Sequence, residues 1–211
     1  MAGIRKISAT IIYIKGIDMK KLTLLVIGVM FTSTTVFADA PRKSAWNPTV
    51  AKNYALQYAL KPNSNYVLFS NDCTNFISQI MRAGGWKDTA TKQSTQDTSW
   101  FYTNRTSYAQ TWSTAQGLRN RLNNGYERGA EKLTRSIGGI GGVYLNNKIA
   151  SGDIVFADWT GDGRFDHAMS VIDKSYLDTR VAYHSNNENN GSMVKISANN
   201  PSAYFEAFHI S

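Results

Sequence analysis

The hydrophobic pattern changes partway along this chain, and that change constrains the fold more than any other feature. Up to about residue 125, apolar residues recur at spacings of three and four, which is typical of helices with one buried face. After residue 150, short runs rich in β-branched and aromatic residues are separated by turn residues, which is typical of strands. This order predicts an α+β domain with N-terminal helices packed on a C-terminal antiparallel sheet.

Turn and cap residues divide this pattern into elements. A first helix is predicted from Pro48 to about residue 60, a second from Cys73 to Gly84, and a third from Thr111. Between the last two, residues 86–110 carry many aromatic side chains, which either form a wall for a ligand or pin a long loop to the core. The glycine-rich stretch at 138–142 is interpreted as a connector. Strands are predicted at 154–157, 167–172, 181–184, 194–196 and 204–210.

The N-terminal region has the pattern of an export signal. Met19-Lys20-Lys21 precedes an uncharged run that ends in Val36-Phe37-Ala38, a small-x-small cleavage pattern. The run is too short and too rich in threonine for a membrane span of ~20 apolar residues. We therefore predict a leader and signal peptide over residues 1–38, with either Met1 or Met19 as the start. A single domain over 39–211 is expected to be exported to a periplasm or the cell exterior.

The net charge limits the kinds of molecule that this chain is expected to bind, and its cysteine content limits the disulfides that it can form. The predicted leader carries five basic residues and one acid, so the rest of the chain has a net charge of +4 instead of the formal +8. No basic run with interleaved aromatics is present, which argues against nucleic acid as a partner. A mild positive charge suits an anionic cell-wall polymer. Cys73 is the only cysteine, so no internal disulfide can form.

Cys73 is the candidate nucleophile. Asn71 and Asp72 are N-cap residue types, so the sulfur is expected in the first turn of a helix. Unpaired N–H groups and the helix dipole favour a thiolate there, which predicts a lowered pKa. A lone cysteine is otherwise most often a small buried hydrophobe.

Two histidines are candidate partners for this thiol. His167 opens a predicted strand and could act as general base, while His184 ends the next strand and could hold the His167 ring in place. Asn186 or Asn187 could orient His167 instead of His184. His209, among apolar residues of the last strand, is interpreted as structural.

An acyl-transfer site also needs donors for the developing oxyanion. The backbone N–H of Cys73 is one candidate because it lies at a helix start, and Asn71 and Tyr66 are candidates for a second donor. Residues 158–169 imitate a calcium loop but have Met169 where a glutamate is required. We therefore expect no metal and no cofactor, and interpret the loop as a turn that positions His167.

Four motifs occur in a characteristic order. They are Asp72 to Gln79 with Ala83-Gly84-Gly85, Gly152 to Trp159, Asp162 to His167, and Tyr183-His184-Ser185. From about Asn47 onwards the chain resembles the bacterial putative amidase domain family, which is grouped with NlpC/P60-like enzymes of papain-type fold. This resemblance implies a cysteine amidase or peptidase, with Cys73 and His167 at the nucleophile and base positions and His184 at the polar third position.

The sequence thus predicts an exported cysteine hydrolase that cleaves an amide bond in peptidoglycan or in a peptide. An acyltransferase would use the same residues and differ only in whether water or an amine takes the acyl group. A non-catalytic secreted binding module, using the aromatic residues between Trp86 and Trp112, is the alternative from another class.

Overall fold

The computed structural model describes residues 46–126, 130–137, 149–175 and 177–211. The predicted leader and the glycine-rich stretch at 138–142 lie outside these residues. Among the described helices, none is both long and apolar enough to cross a membrane. The helices are α1 (Pro48–Tyr58), α2 (Cys73–Ala83), α3 (Gln110–Ser113), α4 (Ala115–Asn123) and α5 (Met193–Asn199).

Two antiparallel sheets accompany these helices. The first is a hairpin of β1 (Tyr102–Asn104) and β2 (Ser107–Tyr108). The second has six strands in the order β3-β8-β4-β5-β6-β7, all antiparallel to their neighbours. The α+β prediction is confirmed. The six strands are β3 (Ala130–Ile137), β4 (Ile154–Asp158), β5 (His167–Lys174), β6 (Thr179–Tyr183), β7 (Glu188–Ser192) and β8 (Tyr204–Ile210).

The large sheet is buried on both faces, and alternation along β5 shows how. Ala168 and Ile172 pack into the core formed with α1 and α2. Met169 and Val171 point the other way, into a second core that includes residues of α5. Successive side chains of a strand point to opposite faces, so these four apolar residues of β5 are divided between the two cores.

The first two helices form as their sequences predict. Pro48 lies at the first helical position of α1, and the Asn47 side chain accepts a hydrogen bond from Val50 N at 3.1 Å. Helix α2 begins at Cys73 and is followed by Gly84, and Gly85 has a φ of 118°, a conformation that favours glycine. The predicted end of the first helix, at about residue 60, lies two residues beyond Tyr58, where α1 ends.

In the second half of the chain one predicted strand was wrong, one strand was missed and one predicted helix is divided. Residues 194–196 are not a strand but part of α5, whose N-cap Ser192 accepts a hydrogen bond from Lys195 N at 3.2 Å. An apolar run of three residues is too short to distinguish the two periodicities. The polar strand β7 was missed because its sequence, ENNGS, has no apolar alternation. The helix predicted from Thr111 is divided into α3 and α4 at Thr114.

The aromatic residues between α2 and α4 belong to the core. Trp100 and Trp112 are fully buried, and Trp86 and Phe101 are each 3% exposed. They pin the long connection to the domain because burying large rings contributes strongly to stability. The interpretation of this stretch as a wall for a ligand is therefore wrong.

Candidate active site

Cys73 lies in the first turn of α2, as predicted, but its side chain is only 4% exposed. The sulfur lies 3.6 Å from Thr74 Oγ1 and 3.8 Å from the carbonyl oxygen of Asp166. Because Asp166 directly precedes β5, the packing of α2 on the sheet brings the sulfur beside the backbone of His167.

The predicted lowering of the Cys73 pKa is wrong for this structure. Burial raises the pKa of the thiol, and it outweighs the hydrogen bonds from the Thr74 side chain and from the backbone of Ala168 and Thr74, which lower it. Removing a charge from water disfavours the charged form more than one helix start favours it. The resting sulfur therefore keeps its proton.

His167 is a buried and neutral imidazole. Its ring is 7% exposed and contacts the rings of Trp159 and Tyr183, with centroids 5.6 and 5.1 Å away. Burial lowers the pKa of His167 to about 4. Within the described residues no hydrogen bond reaches either ring nitrogen. A neutral imidazole near neutral pH can accept a proton, which is the property a general base requires.

The Cys73 sulfur and the His167 ring pack with different parts of the molecule. Trp159 and Tyr183, which hold the ring, pack with the core on the α5 side of the sheet, whereas α2 packs on the other side. No hydrogen bond joins the Cys73 sulfur to the ring in the described part of the chain. The structure brings the thiol to the backbone of the predicted base, with the imidazole turned into a neighbouring cleft.

His184 has a different partner from the predicted one. Its Nδ1 lies 2.5 Å from Asp72 Oδ2 and its Nε2 lies 2.9 Å from the carbonyl oxygen of Tyr58. Both ring nitrogens of His184 therefore have a partner within hydrogen-bond distance. The ring is 1% exposed and stacks on Phe76 at 3.9 Å.

The predicted hydrogen bond between His184 and His167 is therefore absent. Tyr183 contacts the His167 ring, so the next residue, His184, points to the opposite face of the sheet. Strand alternation predicts that Tyr183 and His184 face opposite sides, but the structure was needed to show which side Tyr183 faces.

Asp72 is the residue that sequence reasoning missed. Its Oδ1 accepts hydrogen bonds from Phe69 N at 3.0 Å and Asn75 Nδ2 at 2.8 Å, while Oδ2 faces His184. Its own N–H donates to Ser185 Oγ at 2.9 Å. The signal available in the sequence was an acidic residue directly before the only cysteine. These bonds attach the start of α2 to the end of β6 and thereby place the sulfur.

The turn after His184 is unusual in its backbone. Ser185 and Asn186 have φ values of 61° and 85°, in the left-handed region that non-glycine residues rarely adopt. Two such residues in succession make a tight connection between β6 and β7. Asn186 and Asn187 are exposed, and the described residues include no hydrogen bond from either of them to His167.

The two candidate oxyanion donors have different surroundings. The Tyr66 ring packs on Tyr102 and Trp112, with centroids 4.9 and 5.9 Å away, and Asn71 is exposed. Neither side chain contacts Cys73 among the described hydrogen bonds. His209 pairs with Asp153 at 2.9 Å, which agrees with its interpretation as structural.

In the loop that resembles a calcium site, backbone N–H groups of the loop itself donate hydrogen bonds to its first carboxylate. Asp158 accepts hydrogen bonds from Gly161 N, Asp162 N and Gly163 N at 2.7, 3.3 and 2.8 Å. In the part of the chain that the structure describes, no group of three or more acidic, histidine or cysteine side chains could hold a metal ion. The loop connects β4 to β5 and so fixes the position of His167.

A cleft of about 400 Å³ opens beside the His167 ring, between the sheet and α5. Trp159, His167 and Tyr183 line it, together with Met169 and residues of the turn after β6, of β7 and of α5. Its lining combines aromatic rings with hydroxyl, amide and charged groups, a composition typical of sites for small polar ligands.

Comparison with known proteins places the chain in a family. The model of the family described as "Putative amidase domain" matches residues 45–207. Two relatives from Bacillus subtilis (strain 168) are similar: "Uncharacterized protein YhbB", 27% identical over 172 residues, and "Uncharacterized protein YjcM", 30% identical over 166. These alignments cover 76% and 75% of this chain, and 49% and 35% of the relatives.

The chain therefore spans about half, or less, of the length of these curated relatives. No solved structure matches it at a significant level. The family match covers far more than half of the sequence, including every candidate site residue named above. The chain belongs to the putative amidase domain family.

Proposed function

We propose that this chain is a cysteine amidase or peptidase of the NlpC/P60-like, papain-type group, with Cys73 as nucleophile and His167 as general base. The observation that carries the proposal is the position of Cys73. It is the only cysteine of an amidase-family chain, it begins a helix, and its sulfur lies 3.8 Å from the carbonyl of the residue before His167.

The reaction proceeds by acyl transfer through the sulfur. The imidazole of His167 takes the thiol proton as Cys73 Sγ bonds to the carbonyl carbon of the substrate amide. Backbone N–H groups at the start of α2 stabilise the resulting oxyanion. The imidazolium then protonates the leaving amine as the C–N bond breaks, which leaves a thioester. Water gives a proton to His167 and attacks the thioester, releasing a carboxylic acid and restoring the thiol.

Substrate binding has a specific task in this mechanism. At rest, burial raises the pKa of Cys73 and lowers that of His167 to about 4, so the proton stays on sulfur. The ring must turn from its contacts with Trp159 and Tyr183 towards the sulfur. Catalytic hydrogen bonds are often long or poorly aligned in enzymes without substrate and shorten in the complex.

In this proposal Asp72 and His184 are positioning residues. Their pair attaches the first turn of α2 to the end of β6, so it acts on the sulfur through the backbone. His184 keeps the third place implied by the family resemblance, but it supports the nucleophile and does not orient the base.

Export and substrate complete the proposal. A signal peptide ending at Ala38 would deliver the domain to the periplasm or cell exterior, where peptidoglycan or a peptide supplies the amide. N-terminal sequencing of the protein recovered from its producing cell should find Asp39 as the first residue. A retained N-terminus at Met1 or Met19 would contradict export by cleavage.

The enzymatic proposal is tested with purified peptidoglycan fragments and peptides. We expect mass spectrometry to find products 18 Da heavier in sum than the substrate, as hydrolysis requires, with wild type and with a His209→Gln control. Cys73→Ala and His167→Ala should abolish them. Adding an amine acceptor would reveal an acyltransferase by a transfer product. Unchanged cleavage by Cys73→Ala refutes the cysteine mechanism.

One observation weighs against the non-catalytic binding module. The aromatic side chains that it would use, from Trp86 to Trp112, are mostly buried in the core. They offer little surface to a partner.

A further inference from the structure

The cleft between the sheet and α5 has aromatic rings that are held firmly in place. The rings of Trp159 and Tyr183 both contact that of His167, with centroids 5.6 and 5.1 Å away, and all three line the cleft. Phe205 packs edge-on against Trp159 at 5.9 Å. Trp159 and Tyr183 are half-buried, so each ring packs on the protein and also borders the cleft. A ligand therefore meets apolar surface that needs no ordering on binding.

The polar groups around these rings are available to a ligand. Neither the indole N–H of Trp159 nor the hydroxyl of Tyr183 has a hydrogen bond with a described residue. The same is true of the side-chain amides of Asn186 and Asn199, which also line the cleft. Each of these groups can donate, and the hydroxyl and the amides can also accept. The cleft thus offers several hydrogen bonds that the described part of the protein does not use.

Strand β7 places an acid beside one of the rings. Glu188 pairs in register with Tyr183, and its Oε1 accepts hydrogen bonds from the N–H groups of Asn189 and Asn190, both at 2.9 Å. A Cβ atom on Gly191 would come within 3.1 Å of both the Tyr183 ring and the Glu188 side chain, so the two lie together over this bare backbone. Burial and the Glu188 carboxylate raise the pKa of Tyr183, which keeps its hydroxyl protonated. A donor and a fixed acceptor therefore lie side by side.

The charges of the cleft favour a neutral ligand. Among the described residues that line it, Glu188 is the acid and Lys195 the base, and His167 is neutral because burial lowers its pKa to about 4. The face of an aromatic ring is electron-rich and attracts C–H groups, while amides and carboxylates bond to hydroxyl groups. A pyranose sugar has C–H bonds on its faces and hydroxyl groups around its edge. The volume of about 400 Å³ is within the range of sites for small molecules.

We propose that this cleft binds a neutral saccharide, with a sugar ring packed on Trp159 and hydroxyl groups bonded to Glu188 and to the side-chain amides. The cleft belongs to the α5 side of the sheet, whereas α2, which carries Cys73, packs on the other side. The saccharide site is therefore separate from the sulfur. It rests on the lining of the cleft and does not require the cysteine chemistry proposed above.

The experiment compares neutral trisaccharides with a neutral peptide. Full-length Cys73→Ala protein is titrated with cellotriose, with triacetylchitotriose and with N-acetyl-trialaninamide. The indole N–H resonance of Trp159, identified by its loss in Trp159→Phe, is followed by NMR. We expect at least one trisaccharide to bind with a Kd of about 1 mM or below, and the peptide to bind at least about tenfold more weakly.

Two variants test the assigned contacts by calorimetric titration. Trp159→Leu should weaken saccharide binding about three- to tenfold because it removes the aromatic face. Glu188→Gln should weaken it by a similar factor, about three- to tenfold, because a neutral amide accepts a weaker hydrogen bond than a carboxylate. This second variant keeps the shape of the side chain, so it tests the site even where loss of Trp159 disturbs folding. Asp173→Asn, at an exposed acid that does not line the cleft, is the matched control and should bind like the parent.

Three results would each overturn the proposal. They are no saturable binding of either trisaccharide at about 10 mM, equal or tighter binding of the peptide, and unchanged saccharide affinity in Glu188→Gln. Because the sulfur is absent throughout, failure here is separate from failure of the cysteine mechanism, which the cleavage assay measures.

Discussion

Acid should destabilise this protein through one histidine. Burial lowers the pKa of His167 from 6.5 to about 4 in the folded state. Between these values the unfolded chain binds a proton that the folded protein does not, so folding stability falls as pH falls from about 6.5 to about 4. Above the upper value the ring is neutral in both states and contributes no pH dependence.

The size of this effect follows from the two pKa values. They differ by about 2.5, and each unit corresponds to roughly 1.36 kcal/mol, so the loss approaches ~3 kcal/mol. For a chain of this size that is a decrease of roughly 6–12 °C in Tm.

Urea unfolding across this pH range measures the effect, with wild type compared with His167→Gln. The variant cannot bind the proton, so its stability should fall less steeply with acid, by up to ~3 kcal/mol over the range. Other groups titrate equally in both proteins and cancel in the difference. Lys61→Gln, at an exposed side chain, is the control and should follow wild type. Parallel curves for wild type and His167→Gln would refute the burial argument.

Two further predictions concern Cys73 and the residues that hold it. Alkylation of Cys73 by iodoacetamide should show an apparent pKa above the ~8.5 of a free cysteine, because burial raises it. Thr74→Val should raise it further by removing a hydroxyl that lowers it, and a profile below that of free cysteine would contradict this. Asp72→Ala should cost about 3–5 kcal/mol of unfolding free energy, since it leaves the buried ring of His184 without its carboxylate. A loss in urea unfolding below ~1 kcal/mol would show that the pair contributes little.

The sequence correctly predicted those helices and strands whose boundaries depend on neighbouring residues. The start of α2 at Cys73, its end before Gly84, the start of α1 at Pro48 and the strand that begins at His167 all follow from caps, turns and periodicity within a few residues. The same reasoning failed for β7, where polar residues form a strand because β6 offers its hydrogen bonds.

The chemical state of the site depended on the tertiary structure. A helix start favours a thiolate, but the sheet packed over Cys73 removes water and reverses the direction of its pKa. His167 and His184 lie at adjacent strand ends, yet their side chains face opposite sides of the sheet. His184, which was expected to contact His167, contacts Asp72 instead. The sequence by itself determined which side chains are candidates for the proposed chemistry. Only the packing of α2 and α5 on opposite faces decided which of them meet, because burial and contact depend on residues far apart in the chain.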